Sequence, residues 1–370
     1  MNIKISKMKR IFKVYTILGQ TFGNWVSPII TGLLIFFLRI IVFIGSVIDY
    51  LLFPKLRSIK IKKPILIVGN PRSGTTFLHH YLTSHRLGTG SQLWQMLYPS
   101  IILQKLIKPF LPMLEKISPT RHHSTAAHKT SLQSVETDDA SILFRYLDGF
   151  FLYGFILSWD KQNLFDWVDP QKRDMSKRDF NWLESMWKRI LIANHEERII
   201  GKLFSISANM PKFLSRFPDA KILYMVRDPL SVIPSGLSLV TGVLDKKFGF
   251  WKLEKEKRDH FIKKLYEALV ELLKRFHYDW KNNKIDKNKV MIVHFDRMMQ
   301  DFDGLMSDII DFTDSEMTDE LKADIKKTAD SQRAFQSKHK YDLEKFGLTK
   351  EKIKDDCYFI YETFLSTNEN

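Results

Sequence analysis

The chain has 370 residues, and its 57 Lys and Arg against 42 Asp and Glu give a formal net charge of +15. A hydrophobic content of 44% excludes a disordered chain, and the positive charge indicates an anionic partner: nucleic acid, a membrane surface or a polyanionic small molecule. The single cysteine, Cys357, excludes an intramolecular disulfide and favours a reducing compartment.

The first 60 residues form a basic and apolar segment that favours membrane association. Residues 1–13 contain five Lys or Arg and no acid, and residues 29–53 are apolar apart from Arg39 and Asp49. The length suits a bilayer span, but a central arginine costs about 2.5–3.5 kcal/mol on insertion scales. Three arrangements stay open: one span with a snorkelling Arg39, a pair of interfacial helices, or a helix buried on the domain. Basic residues on both sides leave the orientation open.

From residue 61 onward, short apolar runs alternate with helical patterns, which is typical of strand–helix units around a parallel sheet. The predicted strands are residues 65–68, 198–204, 221–226 and 289–295. The predicted helices are residues 75–84, 230–239, 255–281 and 302–312. Residues 98–194 form an aromatic-rich insert with helical periodicity. We therefore expect a three-layer α/β sandwich over residues 61–370, with a membrane-associating segment over residues 1–60.

Residues 64–78 combine an apolar run, a glycine turn and the start of an amphipathic helix. This order builds a phosphate cradle, because a helix N-terminus offers unpaired N–H groups and the positive end of the dipole. Gly69 and Gly74 have the spacing of a Walker A loop, but Thr75 stands where that loop has its lysine, and the positive charge lies on Arg72 instead. The missing lysine argues against a nucleoside triphosphatase and favours another phosphate-bearing donor.

A second phosphate motif lies in residues 217–235, where a predicted strand ends in Arg227-Asp228-Pro229 and Ser235 follows eight residues after the arginine. Pro229 suits the first turn of a helix. Arg227 would leave the carboxyl edge of the sheet, where α/β folds bind ligands. The arginine and the serine can therefore bind one phosphate, by a charge-assisted fork and by a hydroxyl.

Together the two motifs resemble the P-loop-like sulfotransferases that use PAPS (3′-phosphoadenosine 5′-phosphosulfate), in their bacterial, membrane-associated form. The matching residues are Pro71-Arg-Ser-Gly-Thr-Thr76, Phe217-Pro-Asp-Ala220 and Arg-Asp-Pro with its following serine. The resemblance covers residue 64 to the C-terminus. It implies that the 5′-phosphosulfate is bound by Arg72, Ser73, Gly74, Thr75 and Thr76, and the 3′-phosphate by Arg227 and Ser235.

Three lysines add to this resemblance. Residues 337–341 and 346–348 are similar to the end of the same family, where a basic loop folds over the nucleotide, so Lys340 and Lys338 are candidate phosphate contacts. Lys202, at a strand end, matches a family lysine in the core of the site, although the sequence around it departs from the family pattern.

The general base is the least determined part of the site. Many relatives have a glutamate downstream of the phosphate loop where this chain has Gln95, which cannot accept the proton of the acceptor. His128 and Glu136 are the candidates: His128 has a suitable ordinary pKa, while Glu136 also fits a structural role at a helix start. Arg72 is a candidate catalytic residue, because negative charge builds on the leaving phosphate during sulfuryl transfer.

No metal is expected, since the histidines at 122, 123 and 128 lack acidic or cysteine partners at ligand spacing. We expect transfer of a sulfuryl group from PAPS to a hydroxyl or amine of a sugar, lipid or small alcohol. The alternatives are a P-loop kinase-like enzyme and a non-catalytic nucleotide-binding membrane protein. Nucleic acid is not an expected partner, because the lysines are spread over many segments. The expected location is a membrane with a cytoplasmic catalytic domain, and the alternative is the Golgi lumen.

Overall fold

The four strands predicted from the sequence form one parallel sheet in the computed structural model, which describes residues 3–118, 130–334 and 342–366. The strands are β1 (Ile65–Val68), β2 (Ile200–Lys202), β3 (Lys221–Val226) and β4 (Val290–His294), in the order β2-β1-β3-β4. Ile65 aligns with Ile200 on one side and with Lys221 on the other. All carboxyl ends therefore lie at one edge of the sheet, and the predicted parallel α/β architecture is confirmed.

Eighteen α-helices are described, and their bounds follow the chain. The first nine are α1 (Lys7–Phe22), α2 (Ser27–Leu52), α3 (Lys55–Ser58), α4 (Thr75–Ser84), α5 (Leu93–Leu97), α6 (Ile101–Ile107), α7 (Leu111–Ile117), α8 (Asp139–Tyr146) and α9 (Phe150–Phe155). The others are α10 (Ser176–Asn194), α11 (Met210–Arg216), α12 (Pro229–Phe248), α13 (Lys255–Lys281), α14 (Phe295–Gln300), α15 (Phe302–Phe312), α16 (Asp319–Ala334), α17 (Lys350–Asp356) and α18 (Tyr358–Ile360).

The chain divides into two units. Unit 1 comprises residues 1–61, 91–196 and 237–268, and unit 2 comprises residues 62–90, 197–236 and 269–370. The sheet belongs to unit 2, and residues 98–194 of unit 1 are helical and irregular where described, as the sequence predicts. The domain boundaries predicted from the sequence stay a prediction.

In unit 2, helices cover both faces of the sheet. Ile67 and Leu223 pack with residues of α4, α15 and α16 on one face. On the other face, Tyr224 stacks on Phe276 of α13 and lies near Phe364. Strands buried on both faces read as continuous apolar runs, which is why β1 is Ile-Leu-Ile-Val without alternation.

Unit 1 has an aromatic core and a buried ion cluster. Trp159 of the predicted aromatic insert stacks on Phe261, with 4.2 Å between ring centres, and contacts Phe22 of α1. Arg10 of the same helix lies 3.5 Å from the carboxylate of Asp148. The N-terminal helix is thus attached to unit 1 by both apolar and ionic contacts.

Candidate functional site

The loop between β1 and α4 has a backbone that requires its two glycines. Gly69 has φ +138° and Gly74 has φ +94°, values that favour glycine. A Cβ on Gly69 would lie 2.7 Å from the carbonyl oxygen of Met225, and one on Gly74 would lie 2.6 Å from Cε of Met298. The spacing of the two glycines therefore follows from the turn itself and from its close approach to β3 and α14.

Two buried polar residues hold this loop in place. Ser73 donates its hydroxyl to the carbonyl oxygen of Asn70 at 2.8 Å. Asn70 in turn donates its side-chain amide to the carbonyl oxygen of Leu269 at 2.9 Å. The sequence did not single out Asn70, and its place directly after the first glycine is the signal that could have identified it.

The first turn of α4 points its backbone N–H groups toward the loop. Its N-cap, Gly74, provides no side-chain hydrogen bond, and the turn contains no acidic residue. Lys202, at the end of β2 and largely buried, donates to the Thr76 hydroxyl at 3.2 Å. A lysine from the neighbouring strand therefore lies at this helix start, although the loop lacks the Walker A lysine.

The second motif meets the first at the carboxyl edge of the sheet. The Nε of Arg72 donates to the hydroxyl of Ser235 at 3.0 Å. The Nη1 of Arg227 donates to the carbonyl oxygen of Arg72 at 2.9 Å. Because β1 and β3 are adjacent and parallel, the loops that follow them lie side by side. The structure thus brings together residues that are more than 150 positions apart in the chain.

Phe295 supports both motifs and was not identified from the sequence. The guanidinium of Arg227 lies over its ring at 3.9 Å from the ring centre, in cation–π contact. A Cβ on Gly74 would also meet this ring at 3.0 Å. Its place directly after β4 would have been the sequence signal, because residues that follow strands of a parallel sheet gather at one edge.

Two further ionisable residues, Asp228 and His294, lie at the carboxyl ends of β3 and β4. Asp228 accepts a hydrogen bond from the Leu230 N–H at 2.9 Å and another from the Tyr361 hydroxyl at 2.6 Å, so it caps the start of α12. Burial lowers the pKa of His294, the last residue of β4. His294 is therefore neutral near pH 7.

The other predicted residues lie elsewhere or outside the described chain. Glu136 belongs to unit 1, where it is 6% exposed and accepts a hydrogen bond from the Ser134 hydroxyl at 3.0 Å. Gln95 is buried, donates to Asn194 at 3.0 Å and caps α5, which is a structural role. His128 and Lys340, like Lys338, lie outside the described residues.

The residues gathered in unit 2 are of the types that bind anions. Arg72 and Arg227 carry guanidinium groups, Lys202 an ammonium group, and Thr76 and Ser235 hydroxyls, beside a helix N-terminus. Among residues 3–118, 130–334 and 342–366, no three His, Cys, Asp or Glu are grouped as a metal site. The chemistry open to the described site is electrostatic binding of phosphate-like groups.

Known proteins are similar to this chain in sequence and in fold. A family model described as the sulfotransferase family matches residues 64–319. The chain is 27% identical over 181 residues to the omega-hydroxy-beta-dihydromenaquinone-9 sulfotransferase Stf3 of Mycobacterium bovis and to that of Mycobacterium tuberculosis. Each match covers 48% of this chain and 45% of the relative, so it spans less than half of the relative's length.

Two crystal structures extend the similarity of the fold to most of the chain. Sulfotransferase STF1 from M. tuberculosis H37Rv has a TM-score of 0.66 at 19% identity, covering 95% of this chain and 90% of that one. Sulfotransferase STF9 from M. avium has a TM-score of 0.61 at 17% identity, covering 86% and 81%. At such identities they show the fold alone. The family model, however, matches more than half of the sequence, and the chain belongs to the sulfotransferase family.

Proposed function

We propose that this sulfotransferase moves a sulfuryl group from PAPS to the hydroxyl or amine of an acceptor. The observation that carries the proposal is the contact between the two motifs, in which Arg72 reaches Ser235 and Arg227 reaches the Arg72 carbonyl. A donor with phosphates at both its 5′ and 3′ positions needs two anion sites within one nucleotide's length. The adjacent loops after β1 and β3 supply such a pair.

The 5′-phosphosulfate is proposed to bind at the loop of residues 69–74 and the start of α4. Backbone N–H groups there can donate to phosphate oxygens, and the helix dipole favours negative charge. The Ser73 hydroxyl donates to the Asn70 carbonyl oxygen and so holds the shape of the loop. Thr75 is buried in the first turn of α4. Thr76 adds a hydroxyl that already contacts the ammonium of Lys202.

The 3′-phosphate is proposed to bind Arg227 and Ser235. Stacking on Phe295 fixes the plane of the Arg227 guanidinium, so its N–H groups lose less freedom when they bind an anion. Arg72 was predicted for the 5′ site, and its contact with Ser235 supports a position between the two phosphate groups. It would then contribute positive charge to both.

Sulfuryl transfer places new negative charge on the phosphate that leaves, not on the sulfuryl group in flight. Fixed N–H donors and the charges of Arg72 and Lys202 are suited to stabilise that charge. As in phosphoryl transfer, positioning and electrostatics would provide most of the rate. The proposal involves no metal ion.

The acceptor must lose a proton, and Glu136 and His128 remain the proposed bases. Glu136 can accept a proton only if its hydrogen bond from Ser134 leaves a lone pair for the acceptor, and a carboxylate has several. Glu136→Gln should lower kcat while the affinity for PAP, the 3′,5′-bisphosphate product, stays the same. If kcat survives that substitution and also His128→Ala, neither residue is the base.

A lipid alcohol is the acceptor class we favour among sugar, lipid and small alcohol. The curated relatives are named for a hydroxylated menaquinone derivative, which is a lipid-like alcohol. The α2 helix of this chain is long and apolar enough to cross a membrane, by length and composition. A membrane-associated protein with its catalytic part in the cytoplasm is consistent with both, and a Golgi lumenal location is the alternative.

Calorimetric titration with PAP and with Mg-ATP tests the donor. We expect PAP to bind, and to bind at least tenfold more tightly than Mg-ATP, because only PAP carries a 3′-phosphate for Arg227. Tight binding of Mg-ATP with no binding of PAP would contradict the proposal and favour the kinase-like alternative. Binding of PAP without sulfuryl transfer to any of a panel of lipid, sugar and small alcohols would favour a non-catalytic protein.

A further inference from the structure

The exposed large apolar side chains of this protein are concentrated in unit 1. Among the described residues, all but Tyr278, Met317 and Tyr358 lie within residues 8–52 and 106–113. On α2 they follow the outer side from Ile29 to Leu52, with Leu34 65% and Phe37 58% exposed. An exposed apolar area of this kind marks a surface that binds a partner or a membrane. We call the exposed apolar side chains of α2 between Ile29 and Leu52, with Leu106, Phe110 and Met113, the apolar surface.

The opposite side of α2 is fastened to unit 1 along half of the helix. Its buried residues are Val42, Gly45 and Asp49, spaced along one narrow stripe. At the middle of the helix, Arg39 continues that stripe and donates to the carbonyl oxygen of Phe144 at 3.1 Å. The stripe from Arg39 to Asp49 covers about 15 Å at 1.5 Å per residue.

Asp49 is the strongest of these attachments. It is fully buried, and its carboxylate accepts hydrogen bonds from the N–H groups of Ile101 and Ile102 at 3.0 and 3.1 Å. It also accepts from the Ser100 hydroxyl at 3.1 Å and from Nε of Arg189 at 3.0 Å. The carboxylate thus caps α6 and pairs with α10, and losing these partners would leave a buried charge uncompensated.

Close packing adds to the polar contacts. A Cβ on Gly45 would lie 2.7 Å from the Ser100 hydroxyl and 3.0 Å from Cγ of Leu103, so glycine lets α6 approach α2. If α2 crossed a bilayer in this state, the Phe144 carbonyl at its midpoint would lie near the bilayer centre. Polar groups of unit 1 would then enter the hydrocarbon core, where each costs several kcal/mol.

We propose that α2 lies in the plane of a membrane, with the apolar surface in the lipid and its Arg39–Asp49 stripe on unit 1, and that the membrane carries anionic phospholipid. Of the three arrangements open from the sequence, this one keeps the interfacial position, but with a single helix packed on unit 1 in place of a pair of helices. It does not depend on the identity of the donor or the acceptor.

The charge around the apolar surface favours anionic lipid over a second copy of the chain. Lys105, Lys108 and Lys116 are exposed beside its α6–α7 part, and the start of the chain adds three exposed lysines, Lys4, Lys7 and Lys9. Two such surfaces would repel each other, whereas anionic headgroups attract them.

Vesicle flotation of the full-length protein tests the lipid partner. We expect it to float with vesicles of mixed phosphatidylcholine and phosphatidylglycerol, and to bind phosphatidylcholine alone at least tenfold more weakly.

Lys105→Gln with Lys108→Gln should weaken binding to the anionic vesicles about fivefold per lysine. Phe37→Asp should weaken it about tenfold or more, while Tyr358→Asp, an exposed aromatic in unit 2, should leave it unchanged. Circular dichroism checks that each variant is folded.

Cysteine labelling decides between an in-plane helix and a span. Cys357 is buried, so the background is low, and Gln20→Cys and Lys60→Cys place exposed thiols before and after α2. We expect an impermeant maleimide to label the two positions to the same extent in intact spheroplasts, and again to the same extent in lysed ones. Labelling of one position in intact spheroplasts and of the other only after lysis would overturn the proposal in favour of a span. Absence of flotation together with concentration-dependent dimers in sedimentation would overturn it in favour of a second copy.

Discussion

Two regions of this protein gather arginines, and they use them differently. In unit 1, Arg10, Arg173 and Arg178 converge on Asp148, whose carboxylate is 2% exposed. We call these four residues the Asp148 cluster. In unit 2, Arg72 donates to the Ser235 hydroxyl, and Arg227 donates to the Arg72 carbonyl oxygen and lies over the Phe295 ring.

The difference contrasts a structural use of arginine with the binding use that we propose. A buried carboxylate surrounded by guanidiniums ties α1, the segment before α10 and the first turn of α10 to the end of α8, and its removal leaves charges of one sign together. Arginines held at the carboxyl edge of a parallel sheet, beside a helix N-terminus, are of the type and in the place that suit binding of an anionic ligand. Each prediction below tests one side of this contrast.

Asp148→Ala should give the largest effect. Three guanidiniums would lose a common buried partner, and breaking such a buried ion cluster costs about 3–5 kcal/mol. Urea unfolding followed by circular dichroism should show a drop of that size in the free energy of unfolding. The matched control is Asp259→Ala, which removes an exposed pair with Lys255 and should change stability by less than about 0.5 kcal/mol. Equal effects of the two substitutions would mean that the Asp148 cluster contributes no more than a surface pair.

Arg227→Ala should act on binding instead of folding. Losing charge-assisted hydrogen bonds to a phosphate costs about 2–3 kcal/mol, which corresponds to a 30- to 150-fold weaker affinity for PAP. A nucleotide without a 3′-phosphate should bind the variant and the wild type alike, and the free energy of unfolding should change little. Calorimetric titration with both ligands measures this. Equal losses for the two nucleotides would contradict the assignment of Arg227 to the 3′-phosphate.

The sequence predicted one of these regions and not the other, for physical reasons. The proposed anion-binding edge follows from local signals: apolar strands, glycines at positive φ, a proline that starts α12, and polar residues directly after β1 and β3. Those signals predicted two phosphate motifs, and the resemblance to the sulfotransferase family grouped Arg72 with Arg227 and Ser235 in one site. The Asp148 cluster joins α1, the end of α8 and the segment before α10, and no local pattern specifies which of many charged residues meet.

The same limit applies to single residues at the site. Phe295 and Asn70 act through tertiary contacts, and their types carry no phosphate-binding signal. Lys202 resembled a family lysine, but the sequence around it departs from the family pattern. In the structure Lys202 contacts Thr76. For α2, hydropathy predicted an apolar segment but not how that helix packs on unit 1, because the hydrogen bonds of Asp49 depend on helices α6 and α10.

Asp179→Asn should change the pH dependence of stability in unit 1. Burial raises the pKa of Asp179 to about 6, although Arg178 opposes this. A raised carboxyl pKa stabilises the native state at low pH, and that stability is lost as pH rises from about 4 to about 6. Across that window the wild type should lose of the order of 2 kcal/mol relative to the variant.

Asp148 should change the pH dependence of stability in the opposite direction. Burial opposes its ionisation, but the hydrogen bond and charge of Arg173 together with the charges of Arg10 and Arg178 outweigh burial and lower the pKa of Asp148. Its contribution is therefore lost when the pH falls, in wild type and in Asp179→Asn alike. Urea midpoints measured at several pH values separate the two. Parallel curves for wild type and variant would show that Asp179 is charged throughout the window.

Ser235→Ala should give the smallest effect and the sharpest test of how the two motifs cooperate. The hydroxyl accepts a hydrogen bond from Arg72 at 3.0 Å and its residue is 3% exposed. Because Arg227 would still bind the phosphate, we expect the loss to be that of one typical hydrogen bond, about 0.5–1.5 kcal/mol. We expect PAP affinity to fall two- to tenfold. If Ser235 also positions Arg72, the double substitution with Arg72→Ala should cost less than the sum of the two single ones. Strict additivity would instead mean that each residue binds the donor independently, because coupled residues give non-additive double-mutant cycles.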